Sequence, residues 1–154
     1  MLERHVHKGL TWIDLESPTR DEIHQIVNEY NIRTVVAEEL LMPSTRPRAE
    51  FHGHYGYLVL HFPALSHPHR HRELEIDFII GRNFLITSRY DLIDPLHKFA
   101  KVFETSSVLA ETNEEPHAGM VFYAMVKVLY RALDHELDHI RSADFVHACE
   151  IFAV

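Results

Sequence analysis

The amino-acid sequence predicts a mixed α/β (α+β) domain: a three-layer α/β/α sandwich around a mixed, partly antiparallel sheet, with a long helix leaving its C-terminal end. Three observations predict it. Short runs of strand periodicity are interspersed with stretches of helical periodicity, which sets helices against a small sheet. Residues 73–88 hold two such runs joined by Gly81, Arg82 and Asn83, a hairpin that makes the sheet antiparallel at that point. From His117 onward, Phe122, Val126, Leu129, Leu133, Leu137 and Ile140 recur at spacings of three and four, the pattern of one continuous helix.

The elements follow in order. Residues 11–16 (TWIDLE) form the first expected strand, with Trp12, Asp14 and Glu16 alternating against Ile13 and Leu15, and Ser17-Pro18 ends it. Thr19 and Glu22 make a capping box for a helix running to about Tyr30, with Ile23, Ile26 and Val27 as its apolar face. A second short helix, 34–41, presents Val35, Val36, Leu40 and Leu41, carries Glu38 and Glu39 on its exposed side, and is stopped by Pro43. Residues 48–51 and 57–62 read as strands joined by a turn at Gly53, and 66–72 as a polar loop. Leu74, Ile76, Phe78 and Ile80 alternate with Glu73, Glu75 and Asp77 before the hairpin returns along 84–88. Asp94 as N-cap and Pro95 at the first helical position open a helix whose Leu96, Phe99, Ala100 and Phe103 share a face. After a loop over 106–116 comes the long helix. Trp12, Phe78, Phe84 and Phe103 fall at core-facing positions. Residues 1–116 make the core and 117–154 the start of a stalk helix in the same domain, with no internal repeat or linker.

Composition bounds the function. The 154 residues are 46% hydrophobic and 25% charged, enough apolar surface for one core. A net charge of -8 with 15 Lys and Arg argues against nucleic acid, whose binding needs a basic face, and favours cations as partners. The single cysteine, Cys149, cannot form an intramolecular disulfide, so a cytoplasmic setting is expected. The opening residues MLERHVHKGL lack the apolar stretch of a signal peptide. The longest apolar run, Met120 to Val126, is far short of the roughly 20 residues that span a bilayer. Five glycines and the absence of nucleophile-elbow, P-loop and dinucleotide motifs point away from catalysis.

The run VVAEELLMPSTRPRAEFHGHYGYLVLHF, residues 35–62, joins an acidic short helix, an Arg-Pro-basic step and a hairpin strand. It resembles the N-terminal cytoplasmic domain of the CorA-like magnesium and divalent-cation transporter family. TWIDLESPTRDEI, EIDFIIGRNFLITSRYD and HAGMVFYAMVKVLY resemble further segments of that domain in the same order, so the resemblance covers roughly residues 11–140. Each motif alone is of a kind many folds use; their order and spacing carry the resemblance.

The resemblance implies a pentameric divalent-cation channel in which this domain lines a funnel at the cytoplasmic face of the cell membrane. The long helix would lead to a membrane span outside this sequence, as would the family's Gly-Met-Asn signature. It implies Mg2+ as regulatory ligand and transported ion, bound between neighbouring domains by acids of the short helix and acids of the adjacent subunit's long helix. The matching short-helix positions are Glu38 and Glu39. Carboxylates suit a hard, strongly hydrated cation, and emptying such a site leaves like charges to repel, a two-state lever for gating. Lys127 stands on the long helix where some members carry an acid, and a lysine there would replace or block one ion. Adjacent glutamates are equally what a solvated helix exterior carries.

Fourteen histidines raise zinc as a second metal. His67, His69 and His71, at every second position of one loop with His61 nearby, offer imidazoles to a borderline cation, against the plainer reading of a solvated loop; such a site would favour the zinc-transporting branch of the same superfamily. His135-Glu136-Leu137-Asp138-His139 matches the H-E-x-x-H zinc-hydrolase pattern. Leu137, however, belongs to the apolar stripe, which turns both histidines toward solvent, and only His147 or Glu150 remain as a third ligand. A stand-alone metal-binding or scaffolding domain is the remaining alternative.

Overall fold

A computed structural model describes residues 1–63, 73–104 and 117–152. In chain order the elements are β1 (Leu2–His7), β2 (Leu10–Glu16), α1 (Arg20–Tyr30), α2 (Thr34–Glu39), β3 (Arg48–Phe51), β4 (Gly56–Pro63), β5 (Glu73–Ile80), β6 (Phe84–Arg89), α3 (Asp94–Glu104) and α4 (Ala118–Phe152). The strands form a six-stranded sheet in the order β1-β2-β6-β5-β4-β3, with β2 and β6 parallel and every other neighbour antiparallel. Helices α1 and α2 pack on one face with Ile13, Tyr57, Val59, Ile79 and Ile86, and α3 and α4 on the other with Trp12, Phe78 and Leu85. This is the expected α/β/α sandwich with a mixed sheet.

The first strand departs from expectation. Leu2–His7 pairs with β2 through a two-residue turn, Lys8-Gly9, whose φ angles of 48° and 79° supply the positive values such a hairpin needs. Its one buried residue is His5, tilted against the Trp12 ring at 4.8 Å, while Val6 is exposed, so no apolar alternation marks it. Arg4 anchors this edge to α1 through both Glu29 oxygens, at 2.5 and 2.7 Å.

The capping box forms as expected: the Glu22 amide donates to Thr19 Oγ1 at 3.3 Å, and Glu22 Oε2 accepts from the Thr19 amide at 2.8 Å. Asn31 closes α1 in the left-handed region. Helix α2 stops at Glu39, two residues before the expected end, and Val35 faces solvent at 58% exposure instead of joining the apolar face. Val36, Ala37 and Leu40 take that face, since one residue step turns a helix by about 100°. In the β5–β6 hairpin the Gly81 amide donates to the Phe84 carbonyl at 2.9 Å, and a Cβ at Gly81 would fall 2.1 Å from the Phe84 ring, so any larger residue would force that ring to move. Asp94 is the first helical residue of α3, not its cap; the Ile93 carbonyl accepts from Leu96 and His97.

Trp12, Phe78, Phe84 and Phe103 are buried as the pattern indicates. On α4 the buried line is Ala118, Val121, Met125 and Leu129; of the expected stripe Leu129 lies on it, Phe122 and Leu133 pack against the core half-buried, and Leu137 is 49% exposed. Leu133 is the last α4 residue that packs against the core among the described residues. Among the described residues no helix is long and apolar enough to cross a membrane.

Candidate functional site

The two acids expected on the short helix lie at its C-terminal end, and the fold treats them differently. Glu38 is exposed. Glu39 is half-buried and pairs with Arg48 of β3, whose guanidinium also lies 5.5 Å from the Tyr57 ring centre. The Tyr90 hydroxyl, just after β6, donates to the Glu39 carbonyl at 3.2 Å and so fixes the end of α2. A cation bound here would meet Glu38 directly and would have to share Glu39 with Arg48.

The sheet separates these acids from α4, whose core contacts are all on the other face. On the outer side of α4, Lys127 is exposed as expected, and Arg131, Asp134 and Asp138 are exposed beside it. Positions 127, 131, 134 and 138 fall on one side of the helix, because seven residues make almost two full turns. Asp134 and Asp138 therefore put carboxylates two and three turns beyond Lys127. Sequence reasoning stopped at Lys127; counting helical phase along the same stripe would have found them.

Among the described residues, no cluster of three or more His, Cys, Asp or Glu side chains could hold a metal ion within one chain. Glu38 and Glu39 supply at most two ligands, which fits a cation that keeps several waters and takes further oxygens from elsewhere. His67, His69 and His71 lie outside the described residues. His61, grouped with them by sequence, turns instead into the sheet, with Nε2 3.2 Å from Glu75 Oε2. In the H-E-x-x-H segment His135, Leu137 and Asp138 are exposed on the surface of α4, whereas a catalytic zinc needs a cleft. The side chains of Glu136, His139, His147 and Glu150 lie outside the described ones.

Residues 7–143 match the family described as CorA-like Mg2+ transporter protein. No curated protein sequence matches the chain. Among solved structures, the soluble domain of CorA from Methanocaldococcus jannaschii superposes with a TM-score of 0.73 at 18% identity, covering 94% of this chain and 56% of that one. The full-length CmaX protein gives 0.70 at 15% identity, covering 92% of this chain and 41% of that one. The ZntB cytoplasmic domain from Vibrio parahaemolyticus RIMD 2210633 gives 0.65 at 15% identity, covering 91% and 55%. The chain thus spans about half the length of the structures it matches.

Proposed function

The chain belongs to the family of CorA-like Mg2+ transporter proteins, and from that premise we propose that it is the cytoplasmic ion-sensing domain of a divalent-cation transporter, gated by Mg2+ held between neighbouring subunits. The observation that carries this reading is the placement of the acids. Glu38 and Glu39 sit on one side of the sheet and the Asp134–Asp138 stripe belongs to the helix on the other, so one chain does not close a cation shell. Two copies side by side do, with α2 of one facing α4 of the next, as in a pentameric ring.

The role is regulatory and not catalytic. With the cation present, carboxylates from two subunits are held together; without it they repel, and the ring opens. Glu38 is the principal ligand, Glu39 contributes in competition with Arg48, and Lys127 sets the upper limit of the acidic stripe. The transporter's membrane-spanning part and its Mg2+ cargo belong to the assembly that α4 leads toward. The resemblance of fold to the ZntB cytoplasmic domain makes Zn2+ the competing ion.

The test is a thermal-unfolding titration with Mg2+, and Zn2+ in parallel, at fixed ionic strength, on the chain and on its Glu38→Ala/Glu39→Ala variant. Mg2+ at tenfold its dissociation constant should stabilise the chain by about 1.4 kcal/mol, and the variant should lose that gain. Stabilisation by Zn2+ alone, retained in the variant, transfers the function to the histidines. Indifference to both ions leaves the fold intact and means that sensing requires the assembled ring of subunits.

A further inference from the structure

Beneath α2 the sheet carries polar side chains that the cation site does not use. Glu75 and Asp77 are two residues apart on β5, so both carboxyls stand on the face that carries Tyr57 and Ile79, at 8% and 1% exposure. Glu75 is well supplied. The Ser44 amide donates to its two oxygens at 3.0 and 2.8 Å, the Ser44 hydroxyl lies 3.3 Å from Oε2, and His61 Nε2 lies 3.2 Å from the same atom.

Asp77 is not. Its Oδ2 accepts one long hydrogen bond, 3.4 Å, from the Tyr57 hydroxyl, and its buried Oδ1 has no partner. Ser88 faces it across the ladder in register, fully buried, and the Ser88 hydroxyl has no partner either. Among the described residues, the charged and titratable groups around Asp77 come from β5 and the elements packed against it. Glu75 flanks it on β5; Tyr57 and His61 come from β4, Tyr90 from the end of β6, Arg48 from β3 and Glu39 from α2. Arg48, the cation among them nearest the site, is paired to Glu39.

An ionised Asp77 would leave a negative charge in the interior with one weak donor, next to a carboxylate whose donors are committed. A proton removes the charge and turns the orphaned oxygen into a donor for a neighbour that lacks one. We propose that Asp77, with Glu75 beside it, is a proton-binding site inside the sheet, occupied at neutral pH and distinct from the cation site at α2. Burial, and after it the Glu75 charge, push the Asp77 carboxyl up to about 8, and burial raises the Tyr57 and Tyr90 hydroxyls on the same side.

The stability consequence has a definite sign. The unfolded chain releases the Asp77 proton near 3.8 and the folded chain near 8, so between those values folding takes up a proton and stability falls as pH rises. Above the upper value the fall ends.

The direct test is carboxyl-detected 13C NMR on the uniformly labelled chain, following the Asp77 side-chain carbon, assigned through its own backbone, from about pH 4 to about pH 10. A midpoint above about pH 7 is expected, and a midpoint in the ordinary aspartate range overturns the site. The Asp77→Asn variant, which keeps the shape and drops the ionisable group, should lose the part of the pH dependence of unfolding that Asp77 causes in the wild type; a pH dependence identical to wild type also overturns it.

Discussion

The two faces of the sheet each bury an aspartate, and they provide for it in different ways. On the side covered by α3 and α4, Asp14 accepts from Thr87 Oγ1 at 2.7 Å and from Arg89 Nη2 at 2.9 Å, and the same guanidinium reaches Glu16 at 3.0 Å. Thr87 in turn accepts from the Trp12 indole at 3.0 Å, so the network is built into the aromatic core around Phe99 and Phe103. On the side covered by α1 and α2, Asp77 has a tyrosine hydroxyl and an empty-handed serine. The same residue type is stabilised on one face by a matched counter-charge and on the other by holding a proton. Which solution applies depends on whether the neighbouring strand offers an arginine or a serine, Arg89 or Ser88, adjacent residues of β6 that point to opposite faces.

The largest effect should come from removing the counter-charge. Arg89→Ala leaves Asp14 buried without its cation and should lower unfolding stability by about 3–5 kcal/mol at neutral pH, read by urea denaturation. A loss under about 1 kcal/mol would mean the network is not what holds this face. Asp77→Asn should act in the other direction: relative to wild type it gains stability as pH rises, by about 1.4 kcal/mol per pH unit within the window below about 8. Thr87→Val, nearly the same shape, strips Asp14 and the Trp12 indole of one partner each and should cost about 1–3 kcal/mol. Ser88→Ala removes the hydroxyl that faces the protonated Asp77 and should cost at most about 1 kcal/mol. If Thr87→Val and Ser88→Ala proved equal, the contrast between the faces would collapse.

Much of the fold was legible because local rules and tertiary packing agree. The Thr19–Glu22 capping box, the Gly81 turn and the burial of Trp12 and Phe78 all follow from short-range pattern. What stayed hidden is what needs the third dimension. Asp14, Glu75 and Asp77 alternate with apolar residues and so read as the wet side of half-exposed strands, but helices cover both faces and all three are buried. Leu2–His7 is an edge strand whose inward residue is a histidine, which periodicity does not register. The expected stripe of α4 shares Leu129 with the buried line, but nearer the helix start Ala118, Val121 and Met125 are the residues fully buried, with Phe122 only packed against them.

The candidate site divides along the same line. Glu38 and Glu39 stand out in the sequence only through family resemblance. The pairing of Glu39 with Arg48 depends on β3 returning beside α2, which no motif encodes. Asp134 was within reach of helical phase alone.

The most direct test of the sensor reading is where a divalent cation binds. Mn2+, which takes the same oxygen ligands as Mg2+ and broadens nearby NMR signals, should be titrated into the 15N-labelled chain. Broadening confined to residues around Glu38 and Glu39, with a second patch around Asp134, and reversed by excess Mg2+, is the predicted result. Broadening centred on the histidine-rich segment 61–71, with the α2 signals untouched, would contradict it.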